Sequence, residues 1–298
     1  VRHHFSMAPT DVPNLGGIGQ LSSLRALSAP EGFSFGTLVP LNVAKKHGDY
    51  TVAGRLADGT SFTCSSFYGQ YGQCLVHQSL YGHRGSLLGL LLIMPGEEDT
   101  ADNDLFGILT WLKPGPLGAA KPGRNYGRGF SLLMSAQGGA YTPPAKGKIV
   151  MGLSPTLRGV PNAQIRFEGA GLSVSIDQFI RAASSGATSL LNTLVPTLPN
   201  ANAVRITSFS AATGLIKGSL TTAAVPRRPA SFESLIVPVV ESGLPQPGLV
   251  PNNLAVLDSG REQIGYGFFL LPQVPVAPQT TATSPILSGR VYLTPNIR

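Results

Sequence analysis

The sequence predicts an all-β protein of two related, curved antiparallel units, each a β-barrel or β-sandwich, with at most one or two short helices. Three observations carry this prediction. Glycine and proline supply 36 and 25 of the 298 residues without a collagen-like period, and both interrupt helices and form tight turns. Short apolar segments recur between these turn residues. Glycines also recur inside the apolar segments, which is typical of sheets that bend where a side chain would collide.

Residues 1–30 are expected to form an irregular lead-in, because Pro9, Pro13 and Pro30 interrupt them. A first β unit is expected to span 31–155, with a hairpin signal at Asp58-Gly59 between two of its strands. Its strand candidates are 33–38, 50–56, 61–64, 74–78, 86–93, 106–112, 130–136 and 148–151.

A second β unit is expected to span 156–298. Its strand candidates are 163–168, 203–209, 214–221, 232–240, 267–271 and 289–293. Residues 176–194 carry apolar side chains at three-and-four spacing and form the one helical candidate. Ser184-Ser185-Gly186 weakens that helix, so short helical pieces are expected there.

The two halves also repeat one another in sequence. Residues 49–56 resemble 213–220, and each segment is followed by a basic turn and an apolar run. A glycine-containing strand then follows in each half, at 106–114 and at 287–295. This pattern indicates an internal duplication whose halves meet between Tyr141 and Asn162.

Charged residues make up 12% of the chain, about half the usual share for a soluble domain. A surface covered by small polar residues suits exported β proteins, so an extracellular or cell-surface location is expected. The net charge of +7 favours anionic partners. Nucleic acid is not an expected partner, since lysines and arginines are scattered and no RRM, zinc-finger or OB signature occurs.

The longest apolar stretch, 87–94, is far below the ~20 residues of a membrane helix, so no membrane span is expected. The chain starts at Val1 without a basic-then-apolar leader, which predicts a processed chain or part of a longer one.

Four segments of the second half carry a resemblance: 213–219, 232–237, 265–270 and 288–291. Together they resemble a glycine-motif β module of large exported bacterial cell-surface proteins, where it stands among adhesion and repeat domains. The resemblance covers mainly residues 162–293. It implies a β fold and a surface location, and it carries over no catalytic residue.

Three candidate sites follow from residue type. Cys64 and Cys74 bracket a Gly-containing loop and are expected to form a disulfide in an oxidising compartment, the alternative being two reduced thiols. Asp99, Asp102 and Asp104 supply oxygen ligands for calcium, whereas the spacing favours a solvated hairpin tip.

The third candidate is a glycan site. Trp111, Tyr126 and Tyr141 would stack on sugar rings, while Arg124 and Arg128 would attract acidic groups. The alternative is that Trp111 belongs to a core, because it lies in an alternating apolar segment.

The leading functional hypothesis is a non-enzymatic exported β protein in surface structure, assembly or adhesion, which associates with itself or with a surface polymer. A glycan-binding module or carbohydrate-active enzyme acting on an acidic polysaccharide is one alternative. A small-ligand β-barrel is another, since curved sheets enclose a cavity.

Overall fold

The structure is a computed structural model that describes residues 1–10, 29–41, 48–95, 103–117, 123–239 and 263–296. Within these ranges the chain forms sixteen strands and one three-residue 3-10 helix, Val150–Gly152. The strands belong to two antiparallel sheets of eight strands each. The prediction of two curved all-β units is therefore confirmed.

The first eight strands form one nearly closed barrel. They are β1 His3–Pro9, β2 Ser34–Pro40, β3 Asp49–Arg55, β4 Ser61–Phe67, β5 Gln73–Leu80, β6 Gly85–Met94, β7 Asp104–Lys113 and β8 Phe130–Ala140. Each strand pairs with the next except at a seam between β4 and β5, and β8 returns to pair with β1. A single backbone bridge, Tyr68 with Cys74, crosses the seam in the described residues.

The last eight strands repeat this plan. They are β9 Ala163–Gly169, β10 Ile176–Ser184, β11 Asn192–Pro196, β12 Arg205–Ser210, β13 Leu215–Thr221, β14 Pro229–Pro238, β15 Gln263–Pro272 and β16 Ile286–Pro295. Here β16 returns to pair with β9, and the seam lies between β11 and β12. Both barrels are thus meanders whose last strand closes on the first.

The N-terminal segment is more ordered than its prolines indicate. The expected lead-in contains β1, whose residues from His3 to Pro9 pair with β8, and those from His3 to Met7 also pair with β2. Phe5 and Met7 are fully buried, so burial of apolar side chains fixes the strand and Pro9 lies at its end. Residues 11–28 lie outside the described residues.

Two local predictions are wrong. The helical candidate 176–194 forms β10 and β11, because Gln178, Ile180 and Ala182 alternate into the core with period two. The candidate strand 148–151 contributes instead to the 3-10 turn, where Met151 has a φ of 62°.

The internal repeat is one of architecture. Residues 49–56 contain β3, the third strand of its barrel, whereas 213–220 contain most of β13, the fifth strand of the other. The matched segments therefore do not occupy equivalent positions, although both barrels are nearly closed meanders in which the last strand pairs with the first.

Aromatic rings cover glycines on the inner faces of both barrels. In four cross-strand pairs a Phe lies directly opposite a Gly, and a Cβ on that glycine would lie 2.3–2.7 Å from the ring. The pairs are Phe5 with Gly36, Phe62 with Gly54, Phe232 with Gly218, and Phe269 with Gly289. The missing side chain lets each ring lie flat on the neighbouring strand, which is how aromatic residues compensate for glycine in bent sheets.

The two barrels contact each other wall to wall through an aromatic cluster. Phe33 packs edge-on against Tyr266 and Tyr292, with 5.2 Å between ring centroids in each case. Phe35 stacks on Phe268 at 6.1 Å. Strands β14 and β15 are consequently buried on both faces, one toward their own core and one toward the first barrel.

A buried histidine reinforces this contact. Nδ1 of His4 donates a hydrogen bond to the Ile236 carbonyl at 2.7 Å, and the His4 ring stacks on Tyr141 at 4.1 Å. A carbonyl can only accept, so the neutral ring carries its proton on Nδ1. Nε2 is buried without a hydrogen-bond partner among the described residues. Burial lowers the pKa of His4 to about 4, and that of the neighbouring His3 also to about 4.

Replacing Gly218 by alanine is expected to lower the free energy of unfolding by about 1–3 kcal/mol, because the new Cβ would collide with the Phe232 ring and the Arg205 carbonyl, each 2.3 Å away. Urea denaturation measures the loss. Gly123→Ala is the matched control, since no atom lies within 4 Å of its Cβ. Equal midpoints for the two variants would contradict the packing described here.

The stability of the protein is expected to fall as the pH drops from about 6.5 to about 4. The folded state disfavours protonated His4, whereas an unfolded histidine with a pKa of 6.5 accepts the proton. The loss from His4 alone amounts to as much as about 3 kcal/mol and adds nothing further below pH 4, and His3, whose pKa is also about 4, adds its own loss over the same range. Urea midpoints measured across this range should depend less on pH in His4→Asn, whose amide keeps the donor. His77→Asn on the exposed wall of β5 should behave as wild type.

Candidate functional site

Trp111 lies in the interior of the first barrel with 1% of its surface exposed. Its Nε1 donates to the Tyr81 hydroxyl at 3.0 Å, and that hydroxyl donates to Asp58 Oδ2 at 2.8 Å. Lys113 Nζ lies 2.6 Å from the same carboxylate oxygen. The Thr60 backbone N–H donates to Oδ1 at 2.9 Å. The indole therefore belongs to a buried polar network at one end of the barrel.

The other two aromatic residues of the expected glycan site are also buried. The Tyr126 hydroxyl accepts a hydrogen bond from the Ser288 backbone N–H at 2.7 Å, and the Tyr141 hydroxyl donates to the Ala211 carbonyl at 2.6 Å. Burial raises the pKa of both hydroxyls. The expectation that these rings and Trp111 offer exposed stacking faces is wrong, because all three side chains are buried and hydrogen-bonded inside the protein.

The two arginines of that expected site line an open cavity of about 440 Å³ between residues 123–128 and 279–287. Arg124 donates from Nε to the Ser284 carbonyl and from Nη2 to the Thr281 carbonyl, both at 2.8 Å. Arg124 thus joins the cavity walls, while Arg128 is exposed at the rim. Ligand binding by these arginines stays a prediction, without the aromatic platform that motivated it.

The calcium hypothesis falls mostly outside the described residues, which include neither Asp99 nor Asp102. Asp104 lies at the start of β7, opposite Met94 and Gly139. In the part of the chain that the structure describes, no three His, Cys, Asp or Glu side chains form a metal-binding group. The calcium site stays a prediction.

The expected disulfide is wrong, since Cys64 and Cys74 are unpaired. Cys74 lies opposite Tyr68 across the seam, whereas Cys64 is four residues from Tyr68 and near the His77 backbone. Four strand residues span about 13 Å, and a disulfide needs Cα atoms within about 7 Å. Burial raises the pKa of the Cys74 thiol to about 11.

The feature that stands out is an exposed apolar surface on the first barrel, which we call the apolar wall. It consists of seven aliphatic side chains on β5–β8, each 41–60% exposed: Leu75, Leu88, Leu90, Met94, Ile108, Leu112 and Leu133. They present roughly 600 Å² of apolar surface, at the upper end of the largest patch on a typical monomer.

Strand register makes the apolar wall continuous. Leu90 lies directly between Leu75 on β5 and Ile108 on β7. Directly opposed side chains in antiparallel strands stand about 5 Å apart, so these three form one row. Because Tyr68 pairs with Cys74, the exposed Phe67 lies beside Leu75 and extends the row across the seam.

Charge is nearly excluded from this surface. Among the outward positions of β5–β8, Asp104 at one margin is the only formally charged residue. The outer surface of β9–β12 is different, since it carries Arg166, Asp177, Arg181 and Arg205. An apolar wall without charges is unusual for a surface exposed to water.

None of the sequence motifs considered above indicates the apolar wall, although β6 contains a signal for it. Residues 87–93 are apolar at both odd and even positions, a pattern typical of a strand buried on both faces. The face that carries Gly89 points into the barrel, because a Cβ there would lie 2.2 Å from the Ile108 carbonyl. The opposite face, with Leu88 and Leu90, is left exposed.

Comparison with known proteins gives no relative: no protein-family model, no curated protein and no solved structure matches the chain. Within the described ranges, none of the helical structure has the length and apolar character needed to cross a bilayer.

Replacing Asp58 by asparagine is expected to destabilise the fold by about 3 kcal/mol, because it leaves the largely buried Lys113 ammonium without its counter-charge. Asp58→Asn combined with Lys113→Met should recover part of this loss. Asp177→Asn, which breaks an exposed pair with Arg166, should cost less than about 1 kcal/mol. Thermal and urea unfolding of the variants measure these differences, and equal costs at Asp58 and Asp177 would contradict the network.

Proposed function

We propose that this chain is a non-enzymatic exported β protein that serves in structure, assembly or adhesion at the cell surface. The observation that carries the proposal is the apolar wall. It is exposed to water, but its aliphatic composition is typical of a surface that another protein covers. Inside the chain, the aromatic cluster of Phe33 and Phe35 already joins one barrel wall to another in this way.

Composition supports the location. A charged fraction of 12% leaves the surface to small polar residues, which suits exported β proteins. The resemblance of residues 162–293 to a module of bacterial surface proteins points the same way. The buried network around Asp58 and Trp111 supports a structural role for the aromatic and ionic residues that a glycan site would use.

The proposal is tested in the organism from which the chain comes. Intact cells are treated with a membrane-impermeant amine-reactive biotin, for which Lys146 and Lys148 are exposed targets. The wild-type protein should be labelled and retained by the cells. The Leu90→Lys variant should be labelled but released into the medium, because it loses the surface through which the chain assembles.

Val195→Lys alters an exposed apolar residue of the second barrel and is the control that should remain cell-bound. Labelling that occurs only after lysis would refute an exported role.

A further inference from the structure

We infer that two copies of this chain form a closed two-fold dimer through the apolar walls of their first barrels, an inference that rests on the proposed assembly function. The apolar wall has no partner in the described part of the chain, and its size, charge and position together favour a second copy.

Position is the first argument. In a ring of eight strands, β5 and β6 lie on the side opposite β1 and β2. The wall of β1 and β2 is covered by the second barrel through Phe33, Phe35, Tyr266 and Phe268. The first barrel therefore has apolar outer walls on two opposite sides, and one of them is covered by a barrel. A contact between two barrels of the same kind would fit the uncovered side.

Size is the second argument. The roughly 600 Å² of apolar surface approaches the ~800 Å² that each partner buries in a stable protein interface. The polar margin, with Ser131 and His77 exposed beside the aliphatic rows, supplies a further part of that area, as does Thr110 between Leu88 and Leu133. An apolar centre with a polar rim is the usual composition of a homodimer interface.

Charge is the third argument. Each copy carries a net charge of +7, so two copies repel each other wherever charged surfaces would meet. The seven aliphatic side chains of the apolar wall give this repulsion no source, and Asp104 at the margin is the one formal charge among the outward positions of β5–β8. A face-to-face contact at Leu90 therefore buries no unpaired ion.

The type of symmetry follows from the second barrel. Its outer surface on β9–β12 carries Arg166, Asp177 and Arg181 and does not match an apolar wall. Each copy therefore uses the same wall, and an interface that pairs a surface with itself closes at two copies. Leu90, between Leu75 and Ile108, is placed at the centre of the contact.

Sedimentation velocity on the purified full chain tests the dimer over about 1 to 100 µM, which covers the weak end of the affinities that interfaces of this size reach. The wild type should sediment as two 31.1 kDa chains with a dissociation constant of about 10 µM or lower. Ile108→Lys should raise that constant at least about 100-fold, because it places a lysine in each half of the interface.

Val195→Lys, at a residue 52% exposed on the second barrel, is the matched control and should dimerise as wild type. Circular dichroism and urea midpoints unchanged in both variants show that folding is intact. A wild type that stays monomeric at the highest concentration overturns the dimer, as does equal weakening by both variants. Species larger than two chains overturn the closed symmetry.

Two further measurements separate this inference from the proposed function. A monomeric wild type that floats with anionic phospholipid vesicles, and loses this in Ile108→Lys, assigns the apolar wall to lipid and overturns the dimer. If the wild type is monomeric and its retention on cells still depends on Leu90, the dimer is refuted. The surface role is then supported, with a molecule other than a second copy as the partner. A dimer that is labelled only in lysed cells supports the contact and refutes the surface role.

Discussion

Burial of β14 and β15 on both faces is the constraint on which the rest of the molecule depends. Their inner faces complete the core of the second barrel, while Tyr266 and Phe268 on the outer face complete the core that the first barrel shares with it. A strand with two apolar faces is costly in water unless both are covered. Each barrel would therefore expose an apolar wall if the other barrel did not pack against it. The hydrogen bond from His4 to the Ile236 carbonyl fixes how the two walls are oriented.

The polar groups of the chain are used mainly to close this architecture. Asp58 collects bonds from Lys113, Tyr81 and the Thr60 backbone at one end of the first barrel. The Glu31 carboxylate accepts the backbone N–H of Ala170 from the second barrel at 3.1 Å, and burial raises the pKa of that carboxyl. Several of the few charges of the chain therefore lie inside, whereas the outward positions of β5–β8 carry only Asp104 at one margin.

Local signals in the sequence were sufficient for most strands and for the hairpin at Asp58-Gly59, because glycine, proline and period-two alternation act over a few residues. The closure of β1 on β8 was not predictable, since it depends on contacts across the whole unit. The orientation of Trp111 was ambiguous because both faces of β7 are apolar. Gly107 would have resolved it: it shares a face with Leu109 and Trp111, and glycine is needed on the concave side. The same reasoning assigns Ile108 to the outside.

The way each meander ends has a consequence for how the chain reaches its native state. The first barrel closes by pairing His3 with Ala140, and the second by pairing Pro295 with Ala163. Loop-closure entropy over such distances must be overcome before the pairing stabilises anything, which makes long-range β topologies slow to fold. A ribosome or an export channel that delivers the chain from its N-terminus must release each complete unit before the barrel can form. Until then the unpaired strand edges can pair with other chains. The risk of aggregation is therefore greatest during synthesis, when a chaperone that binds unfolded chains would protect these edges.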